Sequence, residues 1–269
     1  MKSFLTKKTA ALLFLILLCA AALFFFLFSA VQTVRTNASA RLAEEWESGA
    51  APASSDVDAV PQKIVCLTFD DGPSYLTPQV LEILKQYGVR ATFFVTGIDT
   101  QYAYCIAEER AAGHTVGLHT YSHDYAQIYA SEDAYYEDLK KISDICVEQL
   151  GYIPRYIRFP GGSSNTASAK YSPGLMTRLT QDVTERGYIY VDWNCSSGDG
   201  EGSLPPEELL ENSGQNGGEN PVILLCHDGG GKETTVQALP SIIEHYMSAG
   251  YRFQTVDEVS ETAHHRVVN

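Results

Sequence analysis

The sequence predicts an α/β fold: a parallel sheet closed into a TIM-barrel-like barrel, preceded by an N-terminal transmembrane helix. Three observations carry this. Short apolar runs alternate with helix signals along the last two hundred residues, which is the pattern of a parallel sheet. Five of those runs end in a polar residue able to do chemistry, and a barrel gathers its functional residues at that rim. No Gly-x-Gly-x-x-Gly follows the first run, so a barrel is preferred to a dinucleotide-binding sheet.

The N-terminus comes first. Lys2, Lys7 and Lys8 precede a stretch without charge from Thr9 to Val34, almost wholly apolar from Thr9 to Val31. Those 23 residues can cross the hydrocarbon core as a helix, and the lysines ahead of them predict that residues 1–8 are cytoplasmic. The rival is a cleaved signal peptide, with Ala38-Ser39-Ala40 as the cleavage site; its apolar core is usually shorter. An uncleaved, single-pass anchor in the cell membrane with the rest of the chain outside the cytoplasm is favoured, with secretion after cleavage as the alternative. Residues 32–61 are small and acidic without hydrophobic period and predict a linker. Residues 62–265 then form one domain.

Within the domain the first strand is Ile64 to Phe69. Thr77-Pro78 opens a helix with Val80, Leu81 and Leu84 on one face, ended by Gly88. Ala91 to Val95 is the second strand, Tyr102 to Ala112 a helix, and Thr115 to Leu118 the third strand. Ser131 caps a longer helix whose Tyr135, Leu139, Ile142, Cys146 and Leu150 share a face. Tyr156 to Phe159 follows as a strand, Ser172-Pro173 starts a helix stopped by Gly187, and Tyr188 to Val191 is the fifth strand. A short helix over Pro205 to Asn212, a strand over Val222 to Cys226, a helix over Thr235 to Ala249 interrupted in pattern by Pro240, and a strand over Arg252 to Val256 complete seven strands.

Nineteen basic against 33 acidic residues leave a formal charge of −14 at pH 7, which argues against nucleic acid as a partner. Of six cysteines, Cys19 lies in the apolar segment and Cys66 and Cys226 in strands. Cys105, Cys146 and Cys195 remain, and an extracytoplasmic setting permits a disulfide among them.

The strand ends carry the chemistry. Asp70-Asp71-Gly72-Pro73 offers two adjacent carboxylates which, on extended backbone, point different ways, so one can hold a metal while the other moves protons. His119-Thr120-Tyr121-Ser122-His123 places two imidazoles four apart, the spacing of one face of a helical turn and a common chelating arrangement. Thr120 stands where a zinc peptidase would carry its base. One Asp with two His suits a divalent metal with open positions. Arg158 can clamp a carboxylate, and Gly161-Gly162 lets backbone N–H groups approach a ligand. Asp192-Trp193 and His227-Asp228 close the set; a histidine held by a carboxylate has a raised pKa, as a general acid needs. Each motif alone is weak.

Taken together in order and spacing, these motifs over Gln62 to Thr262 resemble the polysaccharide deacetylases of the NodB-homology class, carbohydrate esterase family 4. The resemblance implies an irregular (β/α)7 barrel, in agreement with seven strands. It implies that Asp71, His119 and His123 bind a divalent metal, usually zinc, with cobalt, manganese or nickel as alternatives. It further implies that Asp70 is the general base, His227 the general acid, Arg158 the residue that orients Asp70, and Asp192 the residue that tunes His227. Gly161 would supply a backbone N–H to the oxyanion, and Trp193 and Leu225 would line the acetyl pocket. Many members read Arg-Pro-Pro-Tyr where this chain has Arg158-Phe159-Pro160-Gly161, so a tyrosine side chain is missing from that edge.

The expectation is therefore a metal-dependent hydrolase that removes N-acetyl groups from cell-surface polysaccharide, with N-acetylglucosamine of peptidoglycan as the first substrate. A muramic acid deacetylase, an exopolysaccharide deacetylase and an O-acetyl esterase are alternatives on the same scaffold. A non-catalytic glycan-binding module would need neither Asp70 nor His227. A non-haem iron oxygenase shares the two-His, one-carboxylate set but requires no paired acid.

Overall fold

A computed structural model describes residues 62–269. The anchor expected over 9–31 and the linker expected over 32–61 lie outside the described residues. Among the described residues no helix is long and apolar enough to cross a membrane.

Eight parallel strands form one sheet. They are β1 (Ile64–Asp70), β2 (Thr92–Val95), β3 (Thr115–Leu118), β4 (Tyr156–Ile157), β5 (Ile189–Tyr190), β6 (Cys195–Ser196), β7 (Val222–His227) and β8 (Arg252–Phe253). Their order is β5-β4-β3-β2-β1-β7-β6, with β8 paired to β1. β2 pairs with the C-terminal half of β1 at Thr68 to Asp70, while β8 takes Ile64 and Val65. Among the described residues no ladder joins β5 to β6, so the barrel is open there. The C-terminal segment docks beside that opening, where Ala263 O accepts from the Asp192 N–H at 2.9 Å.

The strand missing from the sequence reading is β6. It is two residues long and pairs with Leu224 and Leu225 of β7. No helix separates it from β5, so βα alternation breaks at this point. Among the described residues there are seven α-helices; six fall where expected, with shifted ends, and the short one over Tyr125–Ile128 has no counterpart in the sequence reading. They are α1 (Thr77–Tyr87), α2 (Cys105–Ala111), α3 (Tyr125–Ile128), α4 (Glu132–Leu150), α5 (Leu175–Glu185), α6 (Pro206–Gly214) and α7 (Glu233–Ser248). Ser131 caps α4 by accepting from the Ala134 N–H at 3.1 Å. Pro240 sits inside α7 without ending it. The expected helix from Tyr102 instead starts at Cys105, because Thr100–Tyr102 forms a separate 3-10 turn.

The alternation of strand side chains sorts the core into two layers. Val65, Leu67 and Phe69 of β1, with Phe93, Val95, Val116, Leu118, Leu224 and Cys226, pack outward against helix residues such as Val80, Leu84, Leu139 and Ile142. Cys66, Phe94, Val191, Ile223 and Val256 form a smaller inner cluster. Each large apolar side chain buried in the outer layer stabilises the fold by roughly 1.5–3 kcal/mol. That layer allows the inner face to carry polar groups: Thr68, Asp70, Thr92 and Arg158 are all buried. The five described cysteines are buried and free, so Cys105, Cys146 and Cys195 form no disulfide with one another.

Candidate active site

Inward parity brings the strand-end residues together. Cys66 and Ile223 face inward on β1 and β7, and Asp70, Leu225 and His227 follow each of them at even spacing. Asp70 and His227 are cross-strand partners in the β1–β7 register. His119 follows β3 and Arg158 follows β4 at the same rim. One cavity of about 350 Å³ is lined by Asp70, Asp71, His119, His123, Leu225 and His227, and also by Gly161 and Trp193.

Asp70 is buried, with Arg158 Nη1 donating to its Oδ1 at 2.9 Å. Arg158 is itself fully buried. It donates from Nη1 to Thr68 Oγ1 at 2.7 Å, from Nε to Val191 O at 2.9 Å and from Nη2 to Asp192 O at 3.0 Å. Its guanidinium lies 4.3 Å from the Phe94 ring centre. Every arm of the planar fork is therefore held, and the orientation expected for Arg158 towards Asp70 is the one observed. Burial pushes the Asp70 carboxyl above its ordinary range, against the pull of Arg158 and His227. A raised carboxyl suits a group that must take up a proton near neutral pH.

Asp71, His119 and His123 present one ligand atom each, all within 4.8 Å of one another. His123 Nε2 stands 3.4 Å and His119 Nε2 3.6 Å from Asp71 Oδ1. Two ligands about 2.1 Å from a shared ion at a tetrahedral angle stand about 3.4 Å apart. Asp71 Oδ1 is buried and has no hydrogen-bond partner. His119 Nδ1 lies 2.7 Å from Arg158 O, and since a carbonyl only accepts, Nδ1 carries the proton and Nε2 keeps its lone pair. Burial, with His123 beside it, pushes His119 down to about 3, so the imidazole is neutral. These three side chains thus fit a divalent cation.

The local backbone differs from the expectation at this point. Asp71 is not on extended chain: its φ is 71°, in the left-handed region, and its Oδ1 and the Asp70 Oδ2 each lie 3.6 Å from His119 Nε2. Nor do His119 and His123 share a helical turn. They bracket a loop in which Thr120 (φ 69°) and His123 (φ 53°) are left-handed. Asp138 of α4 shapes that loop, accepting from the Tyr121 N–H at 2.6 Å and the Ser122 N–H at 3.0 Å. Strained backbone of this kind persists where surrounding contacts hold it, and all three positions sit at the site. A side chain at Gly229 would bring its Cβ to 2.8 Å from Asp71 Cβ, so only glycine lets the loop after β7 pass here.

The partner of His227 requires a correction. Asp192 was expected; the carboxylate found there is Asp199. Its Oδ1 lies 2.7 Å from His227 Nδ1, and its Oδ2 accepts from the His227 N–H and from Thr235 Oγ1, each at 2.8 Å. Burial works against the charged imidazole, but Asp199, aided by Asp70 and Asp71, raises His227 to about 9. Asp192 instead braces the loop after β4. Its Oδ1 accepts from the Ser163 N–H at 2.8 Å, and its Oδ2 from the His265 N–H at 2.8 Å. Asp192 lies at the end of a recognisable apolar run, whereas Asp199 follows the two-residue β6. An acidic residue between Gly198 and Gly200 was the only available signal. Asp228, adjacent in sequence, turns away from His227 and accepts from Thr77 Oγ1 at 2.5 Å.

Trp193 and Leu225 line the cavity as expected. Gly161 has φ 75°, and its N–H donates to no described residue, so it is free for a ligand. Tyr125, Ser196, Glu201 and Lys232 also line the cavity and were not singled out from sequence. Lys232 Nζ donates to Asp199 O at 2.6 Å, tying the loop after β7 to the loop after β6.

The chain as a whole is similar to known proteins. The model of the polysaccharide deacetylase family matches residues 58–175. A peptidoglycan-N-acetylglucosamine deacetylase of Bacillus cereus is 34% identical over 208 residues, spanning 76% of this chain and 91% of the relative. The chitin deacetylase of Colletotrichum lindemuthianum is 33% identical over 207 residues, spanning 72% of this chain and 78% of the relative. The catalytic domain of the peptidoglycan N-acetylglucosamine deacetylase from Eubacterium rectale ATCC 33656 superposes with a TM-score of 0.75 at 44% identity, over 81% of this chain and 99% of that one. With its motifs, its parallel barrel and these relatives in agreement, the chain belongs to the polysaccharide deacetylase family, the NodB-type carbohydrate esterase family 4.

Proposed function

We propose that this polysaccharide deacetylase removes the N-acetyl group of N-acetylglucosamine in peptidoglycan, with a divalent metal, on the outer side of the cell membrane. The observation that carries the reading is the convergence of Asp71, His119 and His123 between two proton-moving groups, Asp70 and His227. The peptidoglycan choice draws on the names of the Bacillus cereus and Eubacterium rectale relatives and on the expected outward-facing anchor.

Asp71, His119 and His123 would hold the ion, zinc first. Bound there, the ion would supply a water of lowered pKa and polarise the acyl oxygen. Asp70, fixed by Arg158, accepts the proton of the attacking water. His227 carries a proton because Asp199 stabilises its charge, and it delivers that proton to the departing nitrogen, so the amine leaves neutral. The Gly161 N–H is a donor for the oxygen on which charge grows. Trp193 and Leu225 offer an apolar wall to the acetyl methyl group and exclude water from it.

The test is acetate release by the purified full chain from peptidoglycan and from N-acetylglucosamine oligomers, with zinc or cobalt and with chelator, beside Asp70→Asn. Metal-dependent release that the variant loses supports the reading; no release from either glycan by metal-loaded protein overturns it. The mass of the membrane-bound protein tests the location. An intact chain supports the anchor, and loss of about 40 residues supports a cleaved signal peptide.

A further inference from the structure

A tyrosine from a different element occupies the space left by the glycine at position 161. A Cβ built on Gly161 would lie 2.6 Å from Tyr125 Oη and 3.4 Å from Tyr125 Cζ. Tyr125 is the first residue of α3, just past the loop that carries His119 and His123. Its ring centre is 5.6 Å from that of His123 and 5.5 Å from that of Tyr129. Tyr129 Oη donates to Pro160 O at 2.7 Å, and Asp124 caps α3 by accepting from the Ala126 N–H at 2.9 Å. The ring is thus clamped between α3 and the segment that ends in Gly161. Its hydroxyl makes no hydrogen bond to another described residue, although Tyr125 lines the cavity with Asp70, Asp71 and His227. An ordinary tyrosine titrates near 10 and is a donor at neutral pH.

We infer that Tyr125 Oη is a second donor to the acetyl oxygen, acting beside the Gly161 N–H. Bond lengths put a residue's own N about 2.5 Å from its Cβ, so Tyr125 Oη and Gly161 N are at most about 5.1 Å apart. Two donors can share one acceptor up to about 5.8 Å apart, twice an ordinary hydrogen-bond length. The pair is within that limit. The hydroxyl gives a hydrogen bond and keeps its proton; no bond is made or broken at tyrosine. Being fixed before substrate arrives, it needs no reorganisation when charge develops, which is what makes such donors effective. A side chain at position 161 and Tyr125 in this position exclude each other sterically, so the ring's place here depends on glycine at 161.

This inference rests on the deacetylase reading, and the test separates the two. Tyr125→Phe and wild type are purified as full chains, and metal content, melting temperature, kcat and KM for N-acetylglucosamine oligomers are measured side by side. The expected result is equal metal content and melting, kcat lowered at least about tenfold, and KM within about twofold. Unchanged kcat in an active enzyme overturns the inference, and so does a rise in KM alone, which would put the hydroxyl on the sugar. Wild type that releases no acetate overturns the deacetylase reading itself.

Discussion

Replacing Asp199 by asparagine should strip His227 of its charge at neutral pH while leaving the hydrogen bond in place. The Asp199 carboxylate and the His227 imidazolium are in contact through a 2.7 Å hydrogen bond. Two unit charges about 4 Å apart near a protein surface interact by about 4 kcal/mol, or about three pKa units. That is the size needed to lift His227 from 6.5 to about 9 against burial. With the charge removed and burial unchanged, His227 should titrate at or below 6.5. At pH 8 the protonated fraction would fall from about nine-tenths to about 3%. The assay is an NMR titration of the imidazole in chelator-treated wild type, Asp199→Asn and Asp192→Asn. Wild type and Asp192→Asn should both titrate near 9, since Asp192 braces Ser163 and His265 instead. The reasoning is refuted if Asp199→Asn stays within one unit of wild type, or if Asp192→Asn alone lowers the value. Stability follows the same charge. A pKa raised by folding contributes stability that is full below 6.5 and lost as pH rises through about 9. For His227 this is about 3 kcal/mol, and chemical denaturation between pH 6 and 9.5 should show the fall in wild type and not in Asp199→Asn.

Three further outcomes are expected. Asp70→Asn should reduce acetate release by about 10²–10⁴-fold while retaining the metal, as measured by elemental analysis after dialysis. Asp138→Ala removes the acceptor that holds the Tyr121 and Ser122 N–H groups, so metal affinity should fall about 10–100-fold in a competition titration with a chromophoric chelator. Arg158→Met leaves Asp70 buried without its partner and should cost about 3–5 kcal/mol in urea denaturation; a loss under 1 kcal/mol would mean the guanidinium contributes little to the fold.

The barrel was legible because its longer strands announce themselves. β1 and β7 are apolar along their length and end in Asp70 and His227, so strand identity and rim position could be read together. Asp71, His119 and His123 were legible by residue type and spacing, and they do converge. What spacing does not contain is backbone handedness. Asp71, Thr120 and His123 are left-handed where distant segments contact the backbone: Asp138 accepts from the Tyr121 and Ser122 N–H groups, and Thr96 Oγ1 donates to Asp71 O. The same limit explains the misassigned partner of His227. β6 exists only because Cys195 and Ser196 pair with β7, and two residues carry no periodic signal.

Sequence by itself thus determined the parallel α/β architecture, the rim on which the polar residues fall, and which side chains gather in the cavity there. These follow from local patterns: period-two strands, helix caps, and chemistry placed at the ends of apolar runs. Tertiary structure alone decided that Asp199 and not Asp192 charges His227, and that Tyr125 fills the space beside Gly161. Both contacts join segments brought together only by packing, and no spacing along one stretch of chain encodes a distance between two.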